Sequence, residues 1–162
     1  MLFVEGKWFY NHIINLHQEQ QIRLLDINTT SIKSVNHFTK DHEIVNSELE
    51  YLSAAQKQAI LSRMVSNQRT IINLVRKGVQ KHGNLQFKSE LTSIPLKQYG
   101  TTYKFKSFNK VKIQGISGTV LVRTGNQLQI ADELANANLV RKPDGYYLKV
   151  TAFINKENWK AI

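Results

Sequence analysis

The sequence lacks cysteine entirely and contains no long apolar run. Without cysteine the chain has no disulfide framework, no cysteine-ligated zinc and no thiol nucleophile. No stretch approaches the ~18 consecutive apolar residues from which a membrane-spanning helix is built. The first residues also lack the basic segment and apolar core of a secretory signal. These absences predict a soluble, cytoplasmic protein without a membrane partner.

Acidic residues are scarce as well, and their scarcity is uneven. The 162-residue chain carries a net charge of +10. Residues 1–80 hold nine basic and seven acidic side chains, whereas residues 81–162 hold thirteen basic and five acidic ones. This asymmetry favours a second half that binds a polyanion, although a basic surface that is merely solvated has the same composition.

The first half of the chain has the apolar spacing of helices. Leu2, Phe9, Ile13 and Leu16 fall on one face and predict a helix from Leu2 to about Gln21. Residues 26–40 are rich in asparagine, threonine and serine, which predicts a loop with at most one short turn.

Two further helices are predicted before residue 84. Asp41 is expected to cap a short helix that runs to about Tyr51. Ser53 and Gln56 have the spacing of a capping box and predict the start of a long helix. Its apolar stripe passes through Ile60, Met64, Ile71 and Val75.

From Leu85 onward the apolar spacing changes to two, which is typical of strands. Strands are expected on both sides of a tight turn at Phe108-Asn109, again at 119–124, and at 138–142. Pro143-Asp144-Gly145 predicts a turn before a last strand from Tyr146 to Ile154. Several short strands separated by turns predict a small antiparallel barrel.

The sequence therefore predicts an α+β protein of two parts. A helical domain is expected at residues 1–84 and a β-barrel domain at residues 85–162, with the boundary between residues 82 and 100.

Four lysines flank the predicted hairpin turn and share one face of it: Lys104, Lys106, Lys110 and Lys112. Like charges opposed across a ladder destabilise a sheet by a few tenths to ~1 kcal/mol per pair. Solubility alone does not require that cost, so the pattern favours a phosphate backbone lying across the lysines. The alternative is that they protect an exposed sheet edge from aggregation. Lysine makes point-charge contacts, so such a face would grip the backbone without reading bases.

The sequence gives less support for a catalytic or metal-binding site than for nucleic-acid binding. The histidine pairs, His12 with His17 and His37 with His42, are five residues apart, whereas two ligands on one helix face are four apart. The acidic residues between 41 and 50 read as a solvated face rather than as ligands of Mg²⁺. We therefore predict no catalytic residue, no metal site and no cofactor. Trp8 and Trp159 have side chains that can stack on unpaired bases.

Six segments, taken in order along the chain, carry a resemblance to a known family. They are Trp8-Phe9-Tyr10-Asn11-His12-Ile13-Ile14, Tyr51-Leu52-Ser53 followed by Lys57, Leu85-Gln86-Phe87-Lys88, Ser93-Ile94-Pro95-Leu96-Lys97-Gln98-Tyr99, Lys110-Val111-Lys112-Ile113-Gln114-Gly115-Ile116 and Asp144-Gly145-Tyr146-Tyr147-Leu148. In order and spacing they resemble the front part of the OrfB/TnpB family, transposon-encoded RNA-guided DNA nucleases related to type V CRISPR effectors.

The resemblance implies a helical recognition lobe inserted into an oligonucleotide-binding-like β-barrel, the wedge, which together bind a guide RNA scaffold and target DNA. Lys57 matches a position that approaches the DNA motif beside the target, and Leu61 stands where relatives can carry a polar side chain. The residues expected to contact nucleic acid are Lys57, Arg63, Lys97, Gln98, Lys104, Lys106, Lys110, Lys112, Arg123 and Lys149.

The chain also departs from the family pattern. Relatives begin with a wedge strand, whereas Met1 opens directly on the first helix, and they continue into a RuvC-like nuclease with three Mg²⁺-binding carboxylates and a cysteine zinc finger. We therefore expect that this chain alone does not cut DNA, and that guide RNA and target DNA are its partners. One alternative is half of a split nuclease whose RuvC-like domain is a separate chain. Another, independent of the resemblance, is a non-specific basic RNA- or DNA-binding protein.

Overall fold

The computed structural model describes residues 1–155 and 157, so the prediction for Trp159 lies outside the described residues. The chain divides into two compact units, Met1–Leu91 and Thr92–Ile162. In the described part of the first unit the elements are α1 (Leu2–Gln18), β1 (Ser34–Phe38), β2 (Ile44–Glu48) and α2 (Ala54–Arg76). In the second they are β3 (Ser93–Leu96), β4 (Tyr103–Ser107), β5 (Lys110–Ile113), β6 (Val120–Leu121), β7 (Glu133–Lys142) and β8 (Gly145–Phe153).

The first predicted helix is confirmed as α1. Its apolar residues recur every three or four positions, and Phe9, Ile13 and Ile14 are buried on the face that results. α1 ends at Gln18, a little before the predicted end, and Gln21 has a left-handed φ of 58° that takes the chain out of the helical path.

The predicted loop at residues 26–40 and short helix at 41–51 are wrong in their main feature, because β1 and β2 form an antiparallel hairpin there. Val35 pairs with Ser47 and His37 with Val45. The turn between the strands is closed by the Thr39 hydroxyl, which accepts the Glu43 N–H at 3.2 Å. Two short strands stabilise one another through their shared ladder, so a reading of either segment alone misses both.

The capping box at the start of α2 is confirmed. The Ser53 hydroxyl accepts the Gln56 N–H at 3.1 Å, and the Gln56 side chain accepts the Ser53 N–H at 2.9 Å. Ile60 and Met64 are buried, whereas Ile71 and Val75, farther along the predicted stripe, are only half-buried. In the described part of the chain, neither helix combines the length and the apolar character needed to cross a membrane.

The second unit consists of two separate three-stranded antiparallel sheets, in the orders β3-β7-β8 and β4-β5-β6. The α+β class is thereby confirmed, but no set of described strands closes into a barrel. The strand bounds also differ from the predicted ones. β6 is only two residues long, whereas β7 begins at Glu133 and runs ten residues to the predicted Pro143-Asp144 turn.

Buried side chains from the two sheets form the core of the second unit. Ile94, Leu96 and Leu139 come from the first sheet, and Val111 and Ile113 come from the second. Burial of each such side chain contributes about 1.5–3 kcal/mol relative to its exposure to water.

Tyr103, at the start of β4, connects the two sheets. Its ring is 1% exposed, and its hydroxyl donates to the Ala135 carbonyl at 2.7 Å. That carbonyl lies in an irregularity of β7 where the register with β8 shifts between Leu134 and Ala137. The hydroxyl therefore satisfies an acceptor that the bulged ladder does not pair.

Candidate nucleic-acid interface

The predicted hairpin around Phe108-Asn109 forms from β4 and β5. On one side of it Tyr103, Val111 and Ile113 are buried. The four lysines of the opposite side are all exposed, and we call them the lysine face: Lys104, Lys106, Lys110 and Lys112. Lys104 lies directly opposite Lys112 in the ladder, which is the arrangement that maximises their repulsion.

A β-bulge sets the position of Lys106. The register shifts between Phe105 and Ser107, so that Ser107 rather than Lys106 lies opposite Lys110. The extra residue of a bulge is left out of the ladder and bends its strand. Lys106 is therefore not held against a cross-strand lysine as Lys104 is.

Edge protection does not explain Lys110. β5 is the central strand of its sheet, and Lys110 is paired with Ser107 on one side and with Leu121 on the other. Lysines that prevent aggregation lie on strands whose outer edge is unpaired. The alternative explanation from the sequence is thus weakened at this position.

Acidic residues are missing around the lysine face. From Leu91 to Ala131 the sequence contains six basic residues and no acidic one. Arg23 and Asp26 form an ion pair at 3.8 Å in the first unit, whereas no ion pair within the described residues involves a lysine of the lysine face. The positive charge of the face is therefore balanced by solvent ions, which a phosphate backbone would displace on binding.

Arg123 lies beside the hairpin turn. The Val122 N–H donates to the Asn109 carbonyl at 2.9 Å, and the Thr124 hydroxyl donates to the Phe108 carbonyl at 2.6 Å. These bonds fix the backbone on both sides of the exposed Arg123. The same surface region thus contains a fifth cation of the predicted set.

Lys97 and Gln98 lie at the other end of the hairpin, in the turn that precedes β4. Both are exposed. The Thr102 hydroxyl donates to the Gln98 carbonyl at 2.8 Å and accepts the Gln98 N–H at 3.1 Å. This closed turn places the two residues next to the start of the strand that carries Lys104.

Lys149 is exposed on a different sheet, on β8 opposite Asn138. The same sheet contains two residues, Lys142 and Tyr147, that the sequence analysis did not single out. The Lys142 ammonium lies 4.7 Å from the centre of the Tyr147 ring. The Tyr147 hydroxyl donates to the Asp144 carboxylate at 2.6 Å, and this bond lowers the pKa of Asp144 and raises the pKa of Tyr147. An aromatic residue between two lysines was the available signal.

Lys57, which the resemblance places near the DNA motif, is buried in this structure. Lys57 is only 7% exposed, and its ammonium donates to the Ile32 carbonyl at 2.8 Å. Burial lowers its pKa, the Glu5 carboxylate opposes that effect, and Lys33 adds to it. The burial of Lys57 has a signal in the sequence, because its spacing from Ile60 and Met64 places all three residues on one helical face.

Glu5, which the sequence analysis did not single out, organises the chain before α2. Its carboxylate is 2% exposed and accepts the backbone N–H groups of Glu50, Tyr51 and Leu52 at 2.8–2.9 Å. The Tyr51-Leu52-Ser53 segment is thus a structural anchor between α1 and α2.

Arg63 is half-buried in α2, and burial lowers its pKa. Burial also lowers the pKa of Lys88, and the Arg63 charge lowers it further. The Lys88 ammonium lies 4.7 Å from the centre of the Tyr10 ring. Next to it, Asn11 exchanges two 2.9 Å hydrogen bonds with the Lys88 backbone. Two of the segments that carry the family resemblance are therefore in direct contact.

The ten predicted residues are not all exposed. Two belong to the first unit, where Lys57 is buried and Arg63 half-buried, and Lys149 lies on another sheet from the lysine face. Within the described residues, no three histidine, aspartate or glutamate side chains come together as a metal site would require. No family model, curated protein or solved structure matches the chain. The fold and the charge distribution thus define an α+β protein with an exposed cationic sheet.

Proposed function

We propose that this chain binds nucleic acid, and that its second unit grips the sugar-phosphate backbone through the lysine face. In the fuller form of the proposal it is the recognition and wedge portion of an RNA-guided DNA nuclease of the OrfB/TnpB type. Its partners are then a guide RNA scaffold and target DNA.

One observation carries the proposal. Lys104 and Lys112 oppose each other on an exposed face, in a stretch of chain that has no acidic residue from Leu91 to Ala131. Opposed lysines weaken their own sheet. A bound polyanion attracts both lysines, which offsets their repulsion, and it releases counterions, which supplies binding free energy at low salt.

The wedge-like fold belongs to the proposal too. What supports it is that the second unit consists of short antiparallel strands in two sheets, which the Tyr103 hydroxyl connects, although these sheets do not close into a barrel. With Lys57 buried, we propose that this lysine holds the recognition helix in place, and that contacts with the backbone dominate affinity.

The first experiment sequences the RNA that copurifies with the full chain after a high-salt wash. Enrichment of one structured RNA, encoded beside the gene or at a transposon end, is the result expected for a guide-binding protein. Recovery of only random cellular RNA, lost as the salt concentration rises, would contradict guide binding. The protein would then be a non-specific basic nucleic-acid-binding protein.

The second experiment measures binding to an RNA hairpin as a function of salt concentration. The double variant Lys104→Gln/Lys112→Gln removes two charges from the lysine face, so the magnitude of the slope of log K against log salt should fall by about 1.4–1.8. Lys40→Gln/Lys81→Gln removes the same charge from exposed sites of the first unit and is the matched control. Equal slopes for the two double variants would contradict the proposed site.

A further inference from the structure

The first unit has a cleft that backbone binding does not use. It is lined by residues of α1, by Gln20 just after α1, by residues of the β1–β2 hairpin and by Phe87, and its volume is about 610 Å³. That volume lies within the range of small-molecule sites, which is roughly 300–1,000 Å³. The cleft is therefore large enough for a nucleotide.

A stacked pair of aromatic rings forms part of its wall. The Trp8 indole and the His37 imidazole are 3.8 Å apart between ring centres and only 8° from parallel. The His37 Nε2 is 2.8 Å from the Ser47 hydroxyl oxygen, which holds the imidazole plane against rotation. Both rings are half-buried, so each presents part of its surface to the cleft.

The rest of the lining suits a base that carries a phosphate. Phe38 and Ile44, at the end of the hairpin, are 68% and 66% exposed. Asn15 and Asn36 contribute amide groups, which match the donors and acceptors on the edge of a base, and the Asn36 side-chain oxygen also accepts from the Asn46 amide at 2.9 Å. Lys7 contributes a positive charge, and the lining contains no carboxylate.

We propose that this cleft binds an unpaired nucleobase together with its phosphate, with the Trp8–His37 pair as the stacking surface. This inference rests on the proposed function, because it names the part of the nucleic acid that the first unit takes. A flat apolar surface, amide groups and one cation are the elements by which proteins hold single-stranded bases without reading a long sequence. A purely apolar protein partner would leave the amides and Lys7 without a matching group.

The test uses the full chain carrying Trp159→Phe, so that Trp8 is its only tryptophan. Its fluorescence is titrated with single-stranded oligoadenylate of about six nucleotides, with adenosine monophosphate, and with a blunt RNA duplex. The oligoadenylate should quench Trp8 strongly and the duplex weakly. Quenching by the free nucleotide at similar concentrations would assign the cleft to mononucleotides, whereas preference for the oligomer assigns it to a strand.

A matched pair of variants separates the cleft from the general surface. Ile44→Ser changes an exposed residue of the cleft, and Leu25→Ser changes an isomeric residue elsewhere, which is 63% exposed. Because both side chains are mostly exposed, neither change threatens the fold. Phe38→Ser should weaken oligoadenylate binding by roughly fivefold to a hundredfold, the range for loss of one stacking contact. Ile44→Ser should weaken it by a smaller factor, because it removes an apolar contact without a ring, and Leu25→Ser should leave it unchanged.

Failure of this inference is distinguishable from failure of the proposed function. If Lys104→Gln/Lys112→Gln abolishes duplex binding while oligoadenylate still quenches Trp8, both sites stand as separate sites. If neither oligoadenylate nor the nucleotide quenches Trp8 while duplex binding is intact, the inference about the cleft is wrong and the proposed function is unaffected. Concentration-dependent self-association lost in Phe38→Ser, without quenching, would overturn it as well and identify a protein contact.

Discussion

The two units of the molecule differ in the environment of their notable charged side chains. In the first, Glu5 and Lys57 are buried, and each is bonded to backbone groups of other segments. In the second, the lysines of the hairpin are exposed and Lys104 lies opposite Lys112, with no acidic residue nearby in sequence. Buried charges with partners fix the course of the chain, whereas exposed charges without partners are available to a ligand.

The difference follows from solvation. An ionised group taken out of water loses several kcal/mol of hydration, so it persists only where hydrogen bonds replace the water. Glu5 meets this requirement with three N–H donors from residues 50–52. On the exposed face of the hairpin the lysines keep their water, and their mutual repulsion is screened to a fraction of a kcal/mol.

The largest expected effect comes from Glu5→Gln, which tests whether the first unit depends on its buried charge. The amide offers an N–H where the backbone of residues 50–52 presents donors, and it leaves Lys57 buried without a counter-charge. We expect the free energy of unfolding to fall by about 3 kcal/mol, measured by urea denaturation. Glu19→Gln, at an exposed site just past α1, is the control. A loss below ~1 kcal/mol would break the comparison between the units.

The second prediction concerns the buried Tyr103 of the second unit, an uncharged polar group. Burial, with a smaller effect of Tyr99, raises the pKa of Tyr103 to about 12. The unfolded tyrosine loses its proton near pH 10, so the folded state holds an extra proton between pH ~10 and ~12. Stability should therefore be fully present below pH ~10 and should fall by about 2 kcal/mol as the pH rises to ~12.

The pH dependence is measured by urea denaturation of wild type and Tyr103→Phe. The variant should lose about 1 kcal/mol at neutral pH, because the Ala135 carbonyl loses its donor, and should lack this alkaline decline. Tyr146→Phe, at an exposed site of β8, should keep the decline. Identical alkaline slopes for wild type and Tyr103→Phe would contradict the assignment.

The features of the fold that the sequence could predict are those that depend on interactions between residues close together in the chain. The capping box of Ser53 and Gln56 spans four residues, and the hairpin at Phe108-Asn109 joins neighbouring strands, so both could be predicted. Glu5 gave no such signal, because its partners are some 45 residues away. The hairpin of β1 and β2 was missed for a related reason. Ile44 and Val45 also fit a helix, and the strand with which they pair had been read as a loop.

The candidate site divides in the same manner. The exposure of the lysine face follows from the alternation of lysines with apolar residues, which a single strand displays by itself. The pairing of lysines across the ladder does not follow from that alternation. The bulge at Lys106 changes the register, and it has no evident sequence signal. The cleft beside Trp8 combines α1 with a hairpin that had not been predicted, so its composition could not be read in advance.

A third, smaller effect is expected at Asn11, the contact between two segments of the family resemblance. Asn11→Ala removes both hydrogen bonds to the Lys88 backbone. Asn73→Ala, at an exposed site of α2, gains the same helix propensity of about 0.5 kcal/mol without losing such bonds. Urea denaturation should therefore show Asn11→Ala about 1–2 kcal/mol less stable than Asn73→Ala. Equal stabilities would mean that residues 85–88 are held by other contacts.

The smallest effect sharpens the comparison most, because its sign differs between stability and binding. Lys104→Glu places a carboxylate opposite Lys112, so the second unit should become more stable by a few tenths to ~1 kcal/mol. The same change should weaken binding to an RNA hairpin, since it removes a cation and adds an anion. Lys106→Glu is the matched control, because its position in the bulge faces no lysine directly. It should weaken binding similarly without the gain in urea resistance. If the lysines served only solubility, Lys104→Glu would still gain stability, but neither variant would lose binding to the RNA hairpin.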